Sequence, residues 1–348
     1  MKQDIIPRIQ SIISNQGFDD AEILQQIKNL VYEFDIKDRL IKESKPISEL
    51  VIENLKSVQN DEPNVNLIRS GFADLDFSIG GLFLGEFVVV GGRPSMGKTQ
   101  FLVSLVLNIS TTVPVLYFTF DLSETLLTNR FISALSGVAI NKLIQNSLDP
   151  TDSTRLLHVE KEMGKHKILI NDSSNSSISS LKYQCLKHIQ EDGVKIIIVD
   201  FLQMMSSNRY RNSRELEISY ISRELKNIAK DNNVCVIASS QLSRAVESRG
   251  GNKRPQLSDL RESGAIEQDA DKVIFIHRPE YYGFLEDEEG NNLSGVAEIL
   301  IAKNRNGRVD DIKLLVDKDF TRFRDFEQLK REFSISSCRL DEIDNTPY

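Results

Sequence analysis

Cysteine is scarce and scattered. Cys185, Cys235 and Cys338 are the three in 348 residues, and no two form a C-x-x-C pair. A disulfide framework and a thiolate zinc site are thereby excluded as organising devices, and a reducing, cytoplasmic compartment is the default. His158, His166, His188 and His277 show no ligand-like spacing and read as structural or solvated. No apolar run approaches the roughly 18 residues needed to cross a bilayer. No signal peptide opens the chain and nothing repeats at a fixed period, so no membrane partner is expected. Positive charge is also short. A formal net charge of −8 argues against a broad basic surface and confines any nucleic-acid contact to a local patch. One such patch exists: residues 242–261 carry Arg244, Arg249, Lys253, Arg254 and Arg261 against Glu247 and Asp259, a net of +3.

What is present starts at Gly92-Arg93-Pro94-Ser95-Met96-Gly97-Lys98-Thr99. This run fits G-x-x-x-x-G-K-[ST], the phosphate-binding loop of nucleotide hydrolases. The apolar run Phe87–Val90 before it suits a buried strand, and Phe101–Ile109 after it is long enough for a helix. Strand, glycine turn and helix N-terminus aim several backbone N–H groups at one spot, where a triphosphate can be held. Lys98 is placed for the β- and γ-phosphates and the Thr99 hydroxyl for Mg²⁺.

At 348 residues the chain can hold one large domain and a smaller appendage. Residues 1–60 read as helices. Ile5, Ile6, Ile9, Ile12 and Ile13 share one stripe, Leu24, Ile27 and Val31 another, and Ile47 to Val58 puts Ile47, Leu50, Val51 and Leu55 on one face. These helices are either a small self-packed cap or include a segment that docks on a neighbouring subunit. The polar breaker Asn60–Asn64 is the expected domain boundary. From residue 65 to about 330 short apolar strands alternate with helices, which predicts an α/β fold with a mostly parallel sheet covered on both faces. The expected strands are Phe87–Val90, Val115–Phe120, Lys167–Ile170, Lys195–Val199, Val234–Ala238, Val273–Ile276, Ala297–Ile301 and Ile312–Val316, with a hairpin through Arg322–Phe326. Helices are expected over Ile178–Gln190 and Arg214–Lys230, and residues 331–348 read as a polar tail.

Several strands end in chemistry. Lys195–Val199 leads into Asp200, the pattern of a metal-side aspartate that meets Thr99 over one Mg²⁺. Val115–Phe120 leads into Asp121, which either orients the water attacking the γ-phosphate or caps the helix starting near Ser123. Val234–Ser240 leads into Gln241, a polar amide suited to sensing the γ-phosphate, and the basic segment begins directly after it. In Arg261-Glu262-Ser263-Gly264 the glycine allows a phosphodiester close, with Arg261 offering charge; a salt-bridged turn is the plainer alternative. Lys303-Asn304-Arg305-Asn306-Gly307 sets two cations in a turn, which either reach a γ-phosphate, in cis or from a neighbouring subunit, or are simply solvated.

These motifs, in this order, resemble those of the DnaB-type hexameric replicative helicases over roughly residues 67–327, the RecA-like motor domain. The resemblance rests on Gly92–Thr99, Asp200–Met205, Ser240–Arg244, Asp259–Asp271 and Lys303–Gly307. It implies an ATP-dependent DNA helicase that forms homohexamers, uses ATP and Mg²⁺, moves on single-stranded and fork DNA, and can take a helicase loader. Catalytic roles fall on Lys98, Asp121, Asp200 and Gln241, with Lys303 and Arg305 acting in trans on the neighbour's nucleotide. Gly92 through Thr99 would cradle the nucleotide; Arg244, Arg261, Glu262 and Gly264 would meet DNA. Two departures stand out. Asp121 occupies the place of the family's catalytic glutamate, and the N-terminal helical region is shorter than the family's primase-receiving collar. Primase therefore stays an open partner, and a phage-, plasmid- or accessory-type role stays open too. Two other readings remain: a RecA-like DNA-dependent ATPase of recombination or repair, and a weakly hydrolysing ring-assembly protein.

Overall fold

The computed structural model describes residues 2–14, 22–24, 26, 27, 30, 44–59, 66–207, 209, 210, 213–260, 264–317, 319 and 321–326. The chain divides into two compact units, Met1–Asn64 and Val65–Tyr348. In the first, helices run over Lys2–Ile13 and Ile47–Gln59. Leu24 and Ile27 lie in helical backbone, whereas Val31 is outside the described residues. Ile47, Val51, Ile52 and Leu55 are exposed on the second helix. The expected tail, residues 331–348, is also outside the described residues.

The second unit opens with a two-stranded antiparallel pair, β1 (Leu67–Ile68) and β2 (Leu82–Phe83). Its main sheet is built from β3 (Phe87–Gly92), β4 (Val115–Thr119), β5 (Ile168–Asn171), β6 (Ile196–Asp200), β7 (Cys235–Gln241), β8 (Lys272–His277), β9 (Val296–Asn304), β10 (Asp310–Val316) and β11 (Phe323–Asp325). These nine strands lie in the order β11-β10-β9-β8-β3-β7-β6-β4-β5. The six from β8 to β5 are parallel, and β9, β10 and β11 add antiparallel pairs at one side. Alternation along β3 shows why its apolar run is unbroken. Val88 and Val90 enter one core with Phe101 and Leu102, while Phe87 and Val89 enter the other with Ile218 and Ile221. A strand buried on both faces has no polar side to show.

Helices Lys98–Ile109 and Glu124–Ser136 cover the first face; Ile178–Glu191, Arg214–Asn232 and Gly264–Asp269 cover the second. Phe101 stacks on Phe72 and meets Phe323 edge-on, both at 5.6 Å between ring centroids. Truncating such a buried ring costs about 3–5 kcal/mol. Two of the long helices stop where their sequence says. Arg214–Asn232 ends on Asn233 in the left-handed region (φ 51°), and Glu124–Ser136 ends on Gly137 (φ 69°). Some pieces carry no strong sequence period and are visible only in the fold: β1, β2, the helix Ala73–Ile79, and short helices between Ile140 and Met163.

Candidate active site

Gly91 and Gly92 are the last residues of β3, inside the strand rather than the loop. A Cβ on Gly92 would sit 3.2 Å from Lys98 Cγ and 3.3 Å from the Ile276 carbonyl. A side chain there would crowd the lysine where it folds back over the strand end. Gly97 precedes the helix Lys98–Ile109 with φ 91°, in the region that favours glycine. The phosphate-loop residues divide by direction. Pro94, Ser95, Gly97, Lys98 and Thr99 line a cleft of about 520 Å³, while Arg93 and Met96 are buried and turned inward.

Lys98 Nζ donates to the carbonyls of Gly92 (2.8 Å) and Arg93 (3.1 Å). Burial pushes its ammonium down to about 8; Arg93 adds to that shift, and Asp200 and Asp121 oppose it. Thr99 Oγ1 donates to Asp200 Oδ2 at 2.8 Å, joining the helix start to the end of β6. Asp200 also accepts from Tyr117 Oη (3.0 Å) and from Ser239 Oγ. Burial, and then the Asp200 charge, hold the Tyr117 hydroxyl well above its ordinary pKa, so it stays a donor. The buried carboxylate is thus fixed by three hydroxyls, with no cation in ion-pair range among the described residues. No cluster of three or more His, Cys, Asp or Glu suited to a metal occurs among the described residues. Thr99 and Asp200 fit Mg²⁺, which takes one or two protein oxygens and completes its shell with phosphates and water.

Asp121 and Gln241 both line the cleft. Asp121 is exposed and makes no hydrogen bond or ion pair with the described residues. It does not cap the following helix: Ser123 does, accepting from the Leu126 N–H at 3.4 Å. Gln203 holds the backbone of Gln241, accepting from its N–H at 3.0 Å and donating to its carbonyl at 3.3 Å, which leaves the Gln241 amide toward the cleft. Arg130 is the wall residue that sequence reasoning missed. It lines the cleft from the helix after Asp121, and its Nε is buried without a hydrogen-bond partner. An orphaned guanidinium N–H in a cleft of this kind fits an anionic ligand. Only its position one helical stretch past a strand-end acid was readable in advance.

The basic segment after β7 is largely paired inside the molecule, contrary to its reading as a patch. Arg249 pairs with Asp259, and Arg254 with Glu298 and Asp311. Lys253 lies over the Tyr282 ring at 5.1 Å. Arg244 alone of those described is exposed and without an ion pair. Arg261 and Glu262 lie outside the described residues, and Gly264 opens the helix Gly264–Asp269. Arg93 ties the phosphate loop to this segment, donating to the Leu242 carbonyl (2.7 Å) and pairing with Glu247 (2.7 Å).

Lys303 and Arg305 lie elsewhere. Asn304 pairs with Lys272, at the amino end of β8, so the turn sits about 16 Å down the sheet from the cleft end. A β-bulge next to Val273 leaves Ala302 without an opposite and re-aims the residues after it. Lys303 Nζ donates to the Glu267 carbonyl, and Arg305 to the Gln268 carbonyl and to Asp271 (3.1 Å). Both cations therefore rest on the last turn of Gly264–Asp269, on the face opposite the helix Lys98–Ile109. Burial, reinforced by Arg305, lowers the Lys303 pKa.

A mostly parallel sheet with a phosphate loop after β3 and an acid closing β6, on the far side of β7, defines a RecA-like P-loop ATPase. Residues 68–325 match the family model described as the DnaB-like helicase C terminal domain, and the chain belongs to that family. Among curated relatives, it is 35% identical over 311 residues to a probable replicative DNA helicase of Trieres chinensis, covering 88% of this chain and 68% of that one. It is 33% identical over 323 residues to the replicative DNA helicase DnaC of Bacillus subtilis strain 168, covering 92% and 68%. A solved DnaB-like replicative helicase, described with its interactions with primase, superposes with a TM-score of 0.78 at 30% identity, over 93% of this chain and 76% of that one. A second solved structure, an ATPase domain, gives 0.74 at 31%, over 82% and 100%.

Proposed function

We propose that the chain is a ring-forming replicative-type DNA helicase that hydrolyses ATP in clefts between copies and uses the turnover to move along single-stranded DNA. The observation that supports this reading is the separation of two groups of residues that it assigns to one catalytic set. Lys98, Thr99, Asp200, Asp121 and Gln241 surround the cleft, while Lys303 and Arg305 sit at the other end and face of the same sheet. Within one chain the two cations cannot reach a γ-phosphate held by Lys98; a second copy is needed to bring them there.

In this reading Lys98 leaves the carbonyls of Gly92 and Arg93 for phosphate oxygens. Thr99 and Asp200 hold Mg²⁺, which when bound offsets the charge on the β- and γ-oxygens. Asp121, unpaired among the described residues, orients the attacking water and takes its proton. Arg130 supplies charge from the cleft wall. Gln241 senses loss of the γ-phosphate and passes it to the segment beginning at Leu242, to which Arg93 is already bound. Arg244, Arg261, Glu262 and Gly264 contact the DNA backbone, which suits a motor indifferent to sequence. A homohexamer is the assembly this implies, with a helicase loader as a further partner; primase stays open, because the N-terminal helical region is short.

The test is ATP turnover with and without single-stranded DNA, together with displacement of a strand from a forked duplex. DNA-stimulated turnover with unwinding is expected. Turnover without unwinding would favour a RecA-like recombination or repair ATPase, and nucleotide binding without turnover a ring-assembly role.

A further inference from the structure

None of the described residues holds the Asp121 carboxylate, so its place in the cleft is decided by the backbone that carries it. An aspartate carboxyl stands two torsions from its Cα: the first has three staggered wells, and the second only turns the oxygens about one axis. The stretch Phe120–Leu122 must therefore do the aiming. It belongs to no helix or strand, and among the described residues no backbone hydrogen bond closes it on itself.

Thr119 closes it instead. This last residue of β4 is buried, and its hydroxyl donates to the Leu122 carbonyl at 2.8 Å while accepting from the Leu122 N–H at 3.2 Å. One hydroxyl thus satisfies both backbone groups of the residue that follows Asp121, a task for which threonine and serine have the donor and the acceptor and valine has neither. The bend has two further anchors. The Phe120 N–H donates to the Asp200 carbonyl at 2.9 Å, which ties its start to β6. Beyond it, the Glu124 N–H donates to Asp172 Oδ2 at 3.0 Å and Ser123 caps the helix. Thr119 is itself paired in register with Asp200, and alternation along β4 puts its side chain on the face of Tyr117, whose hydroxyl holds the Asp200 carboxylate. The acid assigned to the metal and the acid assigned to water are therefore set against one frame, and the Thr119 hydroxyl is the piece of it that shapes the bend.

We propose that Thr119 is a positioning residue for ATP hydrolysis, its hydroxyl holding the bend that aims Asp121 at the attacking water. This rests on the reading of Asp121 as the group that orients that water. Full-length protein is assayed for DNA-stimulated ATP turnover, and its affinity for a fluorescent non-hydrolysable ATP analogue is measured in parallel. Thr119→Val keeps the shape and loses the hydroxyl. It is expected to lower kcat about 10²-fold, the scale of a misplacement of about 1 Å, with KM and analogue affinity near those of the wild type because Lys98 and Thr99 are untouched. Thr119→Ser keeps the hydroxyl and should turn over close to wild type. In an Asp121→Asn background Thr119→Val should cost almost nothing more, because the group it aims is gone. Thr119→Ala is read in the same way if the valine variant does not fold. Wild-type kcat in Thr119→Val, a loss in Thr119→Ser as deep as in Thr119→Val, or the same further loss in the Asp121→Asn background would each overturn the proposal alone. Full activity in Asp121→Asn would overturn it together with the catalytic role of Asp121.

Discussion

The two ends of the central strands treat charge in opposite ways. At the carboxyl ends, Asp200 is held by hydroxyls, Lys98 by two carbonyls, and Asp121 by nothing among the described residues. At the amino ends, acids and cations are locked together. Lys272 is fully buried against Glu86, Asp271 takes Lys226 and Arg305, and Asn306 Nδ2 donates to Glu86 at 2.8 Å. A charge already neutralised has little left to offer a ligand, whereas one held by neutral dipoles keeps its field. The carboxyl end is therefore equipped to react. The amino end also anchors the Lys303–Arg305 turn, where Lys303 rests on a backbone carbonyl and Arg305, half exposed, shares Asp271 with Lys226 and has to leave that acid to act on another copy's nucleotide.

The largest expected break of this contrast is Arg305→Ala. If the arginine acts on another copy's nucleotide, DNA-stimulated turnover falls by about 10³-fold or more, while nucleotide binding to the same subunit's cleft is kept. Next is Asp121→Asn, expected to lower turnover by about 10²- to 10⁴-fold with unchanged nucleotide binding; full activity would remove the residue from the catalytic set. Lys272→Met tests the opposite end. Stranding Glu86 without its cation should cost about 3–5 kcal/mol in denaturant unfolding. Lys98→Met, by contrast, should abolish turnover with an unchanged or higher melting temperature, since it removes a lysine that the fold disfavours in its charged form. Equal loss of stability in both variants would erase the distinction between the ends.

The smallest effect is on pH. Free Lys98 titrates near 8. Below that value it is charged with or without nucleotide and affinity is flat. Above it the free site has lost the proton that phosphate binding must restore, so affinity falls, by up to about tenfold per pH unit. Calorimetry in buffers of different ionisation heat would show proton uptake on binding about one unit above that pKa and little about one unit below it. No uptake on the alkaline side would place Lys98 outside the phosphate contacts.

Much of this was legible before any fold was seen. Buried parallel strands are apolar throughout, and β3, β6 and β7 announced themselves that way, with Asp200 and Gln241 closing the last two. The motifs pointed to candidate reactive residues but not to where their partners lay. Arg249 and Arg254 read as free cations because Asp259, Glu298 and Asp311 are brought to them only by folding. The Lys303–Arg305 turn was readable as a finger, but its distance from the cleft depends on strand direction and on the bulge at Val273. Arg130 lies in a helix whose period gives no hint that one face closes a cleft. Short elements such as β1 and β2 hold too few residues to set a period at all.

Subunit mixing tests the central claim most directly. Lys98→Ala and Arg305→Ala proteins, each inactive alone, are combined over a range of ratios and DNA-stimulated ATP turnover is measured. Clefts that join an intact Lys98 from one copy to an intact Arg305 from the next should restore turnover, with a maximum at intermediate ratios. If mixed rings form and turnover stays at the level of the separate variants, the two halves of the site do not meet across a boundary between copies.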